Sequence, residues 1–298
     1  MEHEEVTRLL MKNTVREPWE GYEYLVTEGC EVDWKGTPGL GDILFGLNAV
    51  HMITHLERKK RDLPQMIMNV HWDHSEDYLY HYEDPETIIE RAEYLHNFYY
   101  DKDAVKMVHH FDAYDEELWR IRHRHFARTA GPQAVLAGLP CWSFRPEVRC
   151  TNPNPKKVVF WRTLFNREWP RGWKRIFTND DWERILDILR SKGYEPVELT
   201  YRTPIREAFY HINTSQFCIF YDGMFQYIAK NLCKPVIAIG DNKGILPVHN
   251  QQGVFFYKPD DEENSLWKYL DKLPNIEEHL YRRAKIYKDF IEKELCLK

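Results

Sequence analysis

The chain has 298 residues, of which 43% are hydrophobic and 14% aromatic, and this length suffices for two domains that each bury a core of their own. Its 41 basic and 47 acidic residues give a net charge of −6, which excludes a surface built throughout for nucleic acid. No run of about 18 apolar residues predicts a membrane span, and the acidic start MEHEEVTRLLMKN is unlike a signal peptide, so we expect a cytoplasmic protein.

Six cysteines stand at positions 30, 141, 150, 218, 233 and 296, and they form no Cys-x-x-Cys pair. Cys218 and Cys233 fall within predicted buried elements. This usage favours reduced thiols in the core over disulfides or a zinc site.

A glycine-rich loop precedes the first predicted helix. Strand-like runs lead into GTPGLGD at 36–42, and apolar residues recur at helical spacing from Ile43 onward. Asp42 is placed to cap this helix, while Gly39 and Gly41 let a ligand approach the backbone N–H groups. The loop lacks the Gly-Lys-Ser/Thr ending of a P-loop and does not complete Gly-x-Gly-x-x-Gly, so its motif alone does not identify a nucleotide site.

Two predicted strands end in polar clusters. The strand over 65–70 runs into His71-Trp72-Asp73-His74, and the strand over 104–108 runs into His109-His110-Phe111-Asp112. A helix that begins at Pro85 separates the two strands. A metal site built from these clusters stays open, but their spacings fit no standard motif, and we favour side chains that line an acceptor or face solvent.

Residues 151–156, TNPNPK, are the predicted linker to a second series of strands and helices. The predicted strands of this series are Val158 to Trp161, Tyr194 to Thr200, Phe217 to Tyr221, Pro235 to Ile239 and Val254 to Tyr257. The predicted helices are Asp180 to Lys192, stopped by Gly193, then Pro204 to Ile212, Met224 to Cys233, 261–272 and 276–295. Apolar strands joined by helices indicate a parallel α/β fold.

The stretch from Phe217 to Gly240 has the clearest pattern, with a strand, an Asp222-Gly223 break, a helix and a second strand. In open parallel sheets, ligands bind where strands end and helices begin. Asp222, Gly223 and Gly240 are therefore candidate site residues.

Two stretches interleave basic and aromatic residues, 119–128 and 162–175. The second carries five basic residues among its fourteen positions, and it begins where a predicted strand ends. Guanidinium forks and lysine charges suit the oxygens of a diphosphate, although a solvated basic loop stays an alternative. The candidate phosphate-binding residues are Arg162, Arg171, Lys174 and Arg175.

Three segments carry a family resemblance: GDILFGLNAV at 41–50, Lys174 to Leu186, and YDGMFQYIAKNLCKPVIAIG at 221–240. In this order they resemble the lipopolysaccharide heptosyltransferases, which are nucleotide-sugar glycosyltransferases of GT-B architecture. The chain departs from that family in two places. The family's Asp-Thr/Ser-Gly is Asp222-Gly223 here, and Tyr227 stands where a histidine is frequent.

The resemblance implies an α/β fold of two Rossmann-like domains that face each other across a cleft. Residues 1–152 would form an acceptor-side domain and 153–275 a nucleotide-sugar donor domain. The helix at 276–298 would follow, with packing back on the N-terminal domain left open. Asp42 would be the catalytic base, in competition with its role as a helix cap. The donor side would include Asp222, Gly223 and Gly240, and the acceptor side Gly39 and Gly41. His71, Trp72 and Asp73 are assigned to the acceptor side from their position at a strand end, where an aromatic face commonly stacks on a sugar or base.

The implied reaction moves a sugar from a nucleotide-diphosphate sugar to a hydroxyl group, with inversion and with neither a metal nor another cofactor. The acceptor is left open between a glycan, a lipid-linked saccharide and a modified base in DNA. Two other functions also stay open: a non-catalytic module that binds nucleotide sugars, and a sugar-nucleotide epimerase of the same architecture. The sugar, the nucleotide base and the oligomeric state do not follow from the sequence.

Overall fold

The structure is a computed structural model, and it divides into two compact units, Met1–Pro146 and Glu147–Lys298. It describes residues 31–36, 41, 43–44, 46–47, 50–51, 65–72, 85–110, 153–162, 177–200, 202–221, 223–232, 234–239, 254–256, 265–275, 277–278 and 280. The α/β class is confirmed, because both units contain a parallel sheet. The boundary after residue 152 and the cleft between the domains stay predictions.

The described part of the first unit contains a three-stranded parallel sheet in the order β1-β2-β3. Its strands are β1 (Glu31–Gly36), β2 (Met66–Trp72) and β3 (Val105–His110). Along the central strand, Met66, Met68 and Val70 are fully buried, while Ile67 and Asn69 are only partly buried. This alternation follows from the period of two residues in a strand and turns one face of β2 toward the core.

A helical segment follows β1 and includes residues 41, 43, 44, 46, 47, 50 and 51. Ile43, Leu47 and Val50 are fully buried, which confirms the predicted apolar face of this helix. Gly41 is already helical, so the helix begins at or before Gly41 and not at Ile43. Differences of one or two residues are usual at helix ends.

Helix α1 (Pro85–Tyr99) begins at the predicted proline and brings an aromatic cluster into the core of the first unit. The ring of His51 lies 4.8 Å from the ring of Tyr100 and 5.4 Å from that of His96, measured between centroids. Both histidines are buried, and within the described residues neither ring nitrogen of His51 nor Nε2 of His96 has a hydrogen-bond partner. Burial lowers the pKa of His51 well below its usual value and that of His96 to about 4.

The second unit contains a five-stranded parallel sheet in the order β5-β4-β6-β7-β8. Its strands are β4 (Lys157–Trp161), β5 (Glu195–Leu199), β6 (Phe217–Tyr221), β7 (Val236–Ile239) and β8 (Val254–Phe256). When the strands of this unit are counted from 1 to 5 along the chain, beginning with β4, their order in the sheet is the doubly wound order 2-1-3-4-5. Every residue of β4 and β7 is buried, as expected for strands that are covered on both faces.

Helix α2 (Asn179–Ser191) packs Trp182, Ile185, Leu186 and Leu189 into the core of this unit. Its first turn is closed by a capping box in which Thr178 and Asp181 each accept a hydrogen bond from the other's backbone N–H. At its other end, Gly193 has a φ of 83°, and Tyr194 N donates to the carbonyl of Leu189 at 3.0 Å. This left-handed turn confirms the predicted stop at Gly193.

We expect Thr178→Ala to lower the free energy of unfolding by about 1 kcal/mol, because the mutation removes the side-chain acceptor for the backbone N–H of Asp181. Ser191→Ala is the matched control, since Ser191 Oγ only donates to the carbonyl of Ile188 in the last turn of the same helix. Chemical denaturation of both variants measures the difference. Equal stability losses in the two variants would contradict the capping role.

Three further helices have described bounds: α3 (Ile205–Thr214), α4 (Met224–Asn231) and α5 (Leu266–Leu270). Residues 277, 278 and 280 are helical as well. Helix α5 is shorter than the helix predicted over 261–272. Beyond it, Leu273 and Leu280 join the buried core of the second unit, and Glu277 accepts hydrogen bonds from the Tyr194 hydroxyl and from Gln216 Nε2. The start of the predicted C-terminal helix is therefore bound to the second unit, while packing of its remainder on the N-terminal domain stays a prediction.

Cys218 is a buried free thiol, as predicted, whereas Cys233 lies outside the described residues. Burial raises the pKa of Cys218 to about 12, against the opposing effects of a hydrogen bond with Ser215 and of two lysines. None of the helices described by the structure has the length and apolar content needed to cross a bilayer.

Candidate functional site

The strand order of the second unit reverses between β4 and β6. The chain leaves β4 through α2 toward β5 on one side, and it leaves β6 through α4 toward β7 on the other side. These two strands pair in parallel up to Trp161 and Phe220, so their carboxyl ends lie side by side. In doubly wound sheets, the crevice at such a switch point is the usual place for a ligand.

Arg162, a predicted phosphate-binding residue, follows β4 directly at this switch point. Its Nε donates to Glu198 Oε1 at 2.8 Å, its Nη2 to Glu198 Oε2 at 3.4 Å, and its Nη1 to Glu183 Oε1 at 2.6 Å. Burial alone would lower the pKa of Arg162, but the hydrogen bonds and charges of Glu198 and Glu183 outweigh it and raise the pKa. The guanidinium is therefore permanently charged and is held by carboxylates from β5 and α2.

Gly223, a predicted donor-side residue, lies against the last residue of β4. Its φ is 153°, and a methyl group at its Cα would lie 2.8 Å from Cζ3 and 3.1 Å from Cη2 of Trp161. The same indole meets the ring of Phe225 edge-on, with the centroids 5.3 Å apart. The missing side chain at Gly223 thus leaves room for Trp161, a structural reason that the sequence did not indicate.

Arg162 and Phe177, the residues that flank the basic segment 163–176, both lie at this edge of the sheet. The backbone N–H of Phe177 donates to the Tyr221 hydroxyl at 3.1 Å. The rings of Phe177 and Tyr221 also meet edge-on, at 6.2 Å between centroids. Because Tyr221 is the last residue of β6, the two residues that flank the segment lie at the two strands of the switch point.

The two helices that leave the switch point differ in charge at their N-termini. The first turn of α2 contains Asp180 and Asp181 and is already capped by Thr178. The first turn of α4 contains no acidic residue. Because a helix N-terminus carries partial positive charge, an anion is favoured at α4 and disfavoured at α2.

Two buried polar side chains near the turn between β6 and α4 lack partners. Gln226 is 1% exposed, and neither its Nε2 nor its Oε1 has a hydrogen-bond partner among the residues that the structure describes. The indole N–H of Trp161 is buried and unpaired in the same way. Each such group costs free energy on folding, and a bound ligand is one explanation for a buried polar group without a partner.

On the predicted acceptor side, the structure shows Gly41 within a helix and the backbone of His71 and Trp72 within β2, but not these two side chains. Of the second polar cluster, His109 Nε2 lies 3.3 Å from Glu93 Oε1, and His110 Nε2 lies 3.0 Å from Asn69 Oδ1. In the parts of the chain that are described, no three His, Cys, Asp or Glu side chains are grouped to hold a metal ion.

The remaining predicted site residues lie outside the described residues, so their roles stay predictions. They are Gly39, Asp42, Asp73, Arg171, Lys174, Arg175, Asp222 and Gly240. The structure therefore brings together Arg162, Gly223 and Phe177 at one edge.

Sequence reasoning missed Glu183, Glu198 and Gln226. Two of these residues could have been noticed in the sequence. Glu198 lies within the strand EPVEL, and Gln226 lies within the otherwise apolar start of α4, MFQYIA. Polar residues in buried elements of this kind need partners, and those partners are candidates for a site.

No protein-family model matches the chain, and no curated protein matches it. Among solved structures, the chain is similar to E. coli heptosyltransferase WaaC with ADP, at 14% identity over 88% of this chain and 99% of that chain, with a TM-score of 0.41. The same protein with ADP-2-deoxy-2-fluoro heptose matches at 13% identity, with the same coverage and TM-score. The iron-containing dodecameric glycosyltransferase TibC from enterotoxigenic E. coli matches at 11% identity over 88% of this chain and 75% of that chain, with a TM-score of 0.41. At these values, the likeness by itself assigns neither a family nor an activity to this chain.

Proposed function

We propose that the protein is a glycosyltransferase that moves a sugar from a nucleotide-diphosphate sugar to a hydroxyl acceptor. The observation that carries the proposal is the position of Arg162 at the switch point of the second sheet, where β4 and β6 end. Arg162 and Phe177, whose N–H donates to Tyr221 at the end of β6, flank a segment with four further basic residues. A diphosphate is the ligand chemistry that basic residues of this kind favour.

Sugar transfer needs positive charge on the departing diphosphate and a base near the acceptor hydroxyl. In our proposal, Arg162 belongs to the first group, together with Arg171, Lys174 and Arg175 from the basic segment and the N-terminus of α4. With this charge in place, the leaving group needs no metal ion. Asp42 is the proposed base, from its place in the sequence resemblance, and direct displacement by the activated hydroxyl would invert the sugar's configuration.

The proposal predicts that a nucleoside diphosphate or its sugar stabilises the protein. At about 100 times its dissociation constant, a ligand should raise the free energy of unfolding by about 2.7 kcal/mol. Thermal-shift screening against ADP, GDP, UDP, CDP and their sugars measures this effect. If none of them raised the melting temperature, the proposed function would be wrong.

Asp42→Asn should lower donor turnover by about 100-fold or more while leaving nucleotide binding unchanged, because the amide cannot accept the acceptor's proton. Asp187→Asn is the control, since Asp187 is an exposed carboxylate whose ion pair is with Arg190 at 3.4 Å. Binding without turnover in the wild type would identify a non-catalytic module. Turnover of the donor sugar without any acceptor would identify an epimerase.

A further inference from the structure

The two carboxylates that hold Arg162 are not equivalent. Glu198 accepts from both Nε and Nη2, and its side chain is only 27% exposed. Glu183 contacts Nη1 alone, and its side chain is 54% exposed. Because Glu183 is more than half exposed and holds Arg162 through a single contact, it is the partner that can be displaced at the smaller cost.

Arg162 also has hydrogen-bonding capacity beyond these contacts. A guanidinium offers five N–H donors in a planar fork, and the contacts with Glu198 and Glu183 use three of them. If Glu183 left, both N–H groups of Nη1 would be available, while Glu198 would keep the guanidinium in its place. Phosphate oxygens are the acceptors that suit such a fork best.

We propose that Glu198 is a positioning residue for Arg162, and that Glu183 is an internal anion that occupies the diphosphate position until the donor displaces it. This inference rests on the proposed function, since it names how one site residue is held and released. Glu183 excludes weakly bound anions from the switch point, because an incoming anion must compete with it for Arg162. A nucleoside diphosphate carries enough charge to displace Glu183 from Arg162, whereas inorganic phosphate does not displace it.

The inference predicts opposite effects of two isosteric substitutions. Glu183→Gln should tighten binding of the nucleoside diphosphate about fivefold, because an exposed competitor for Arg162 is lost. Glu198→Gln should weaken binding about tenfold, because Arg162 loses its fixed orientation. Asp187→Asn removes an equal charge one turn further along the same helix, at a carboxylate whose ion pair is with Arg190, and titration calorimetry should find the dissociation constant changed less than twofold.

A double-mutant cycle with Arg162→Gln separates these roles from a general structural effect. In that background, neither glutamate substitution should alter nucleotide affinity further, because both act through the guanidinium. In steady-state kinetics, Glu198→Gln should raise the KM for the donor and also lower kcat, because a misplaced Arg162 binds the donor less well and stabilises the departing diphosphate less in the transition state.

Titrations with inorganic phosphate complete the experiment, because Glu183→Gln should admit phosphate that the wild type excludes. If the wild type binds a nucleoside diphosphate but Glu183→Gln leaves its affinity unchanged or lower, the displaceable-anion role is wrong while the proposed function stands. If glutamate effects persist without Arg162, positioning by Glu198 is wrong. If no nucleoside diphosphate or nucleotide sugar binds the wild type, the proposed function itself is wrong.

Discussion

Gly223→Ala is expected to lower the free energy of unfolding by about 3 kcal/mol, with two physical causes of similar size. The φ of 153° is one that side chains other than glycine rarely adopt, and the added methyl group would lie 2.8 Å from Trp161 Cζ3. The indole cannot easily move away, because it is buried at the end of β4 and packs edge-on against Phe225. Chemical denaturation of the variant measures the loss.

Gly193→Ala is the matched control for the backbone contribution. Gly193 also has a positive φ, of 83°, but a methyl group there would meet no heavy atom within 4 Å. We expect this control to lose only about 1 kcal/mol, from backbone strain alone. The difference between the two variants then reports the collision with Trp161 together with the greater backbone strain at a φ of 153°, and no difference would contradict the close packing at the switch point.

The double variant Gly223→Ala with Trp161→Phe tests the same contact directly. Phenylalanine lacks the outer ring atoms that the methyl group would meet, so the cost of the alanine should be smaller in this background. An unchanged cost would place the strain in the backbone alone.

Local pattern in the sequence predicts the strands and helices of the second unit closely. The apolar runs that form β4, β6 and β7 are uninterrupted because these strands are covered on both faces, and such runs have no other common explanation at this length. The stop at Gly193 follows from the left-handed conformation that glycine adopts most easily. Helix α5 is shorter than predicted, and helix ends are where periodicity is least informative.

The sequence predicts the switch point of the second sheet only in part. A pattern of strand, helix and strand predicts parallel crossovers, but the side on which each crossover places its strand depends on packing between distant elements. The order β5-β4-β6 is therefore a finding of the structure, and it is what brings Arg162 beside Tyr221 and Gly223.

The side chains that contact Arg162 could not be predicted from local sequence pattern either. Arg162 was predicted as a phosphate ligand from a local run of basic residues, but its glutamates lie 36 and 21 positions further along the chain. No local spacing rule connects residues at such separations. The sequence therefore indicated a basic residue at this edge but not the two carboxylates that hold its guanidinium.

The first unit is expected to lose stability between about pH 6.5 and pH 4 because of His96. The unfolded chain protonates this histidine near pH 6.5, whereas in the folded state burial lowers its pKa to about 4. Between these values the unfolded state binds more protons, so stability is complete above about pH 6.5 and falls as the pH decreases. A shift of this size corresponds to about 3 kcal/mol, and the lowered pKa of the neighbouring His51 extends the loss further into acid.

His96→Leu isolates this contribution from the carboxyl groups that titrate in the same range. The leucine has a similar volume and removes the unpaired Nε2, so stability at pH 7 should be equal or higher. At pH 4.5, the variant should be more stable than the wild type by about 2 kcal/mol in chemical denaturation. His211→Gln, at a partly exposed histidine of α3, should keep the wild-type dependence on pH. If the wild type and His96→Leu lost stability in parallel as the pH fell, His96 would not be the group responsible, and its buried ring would be protonated without cost.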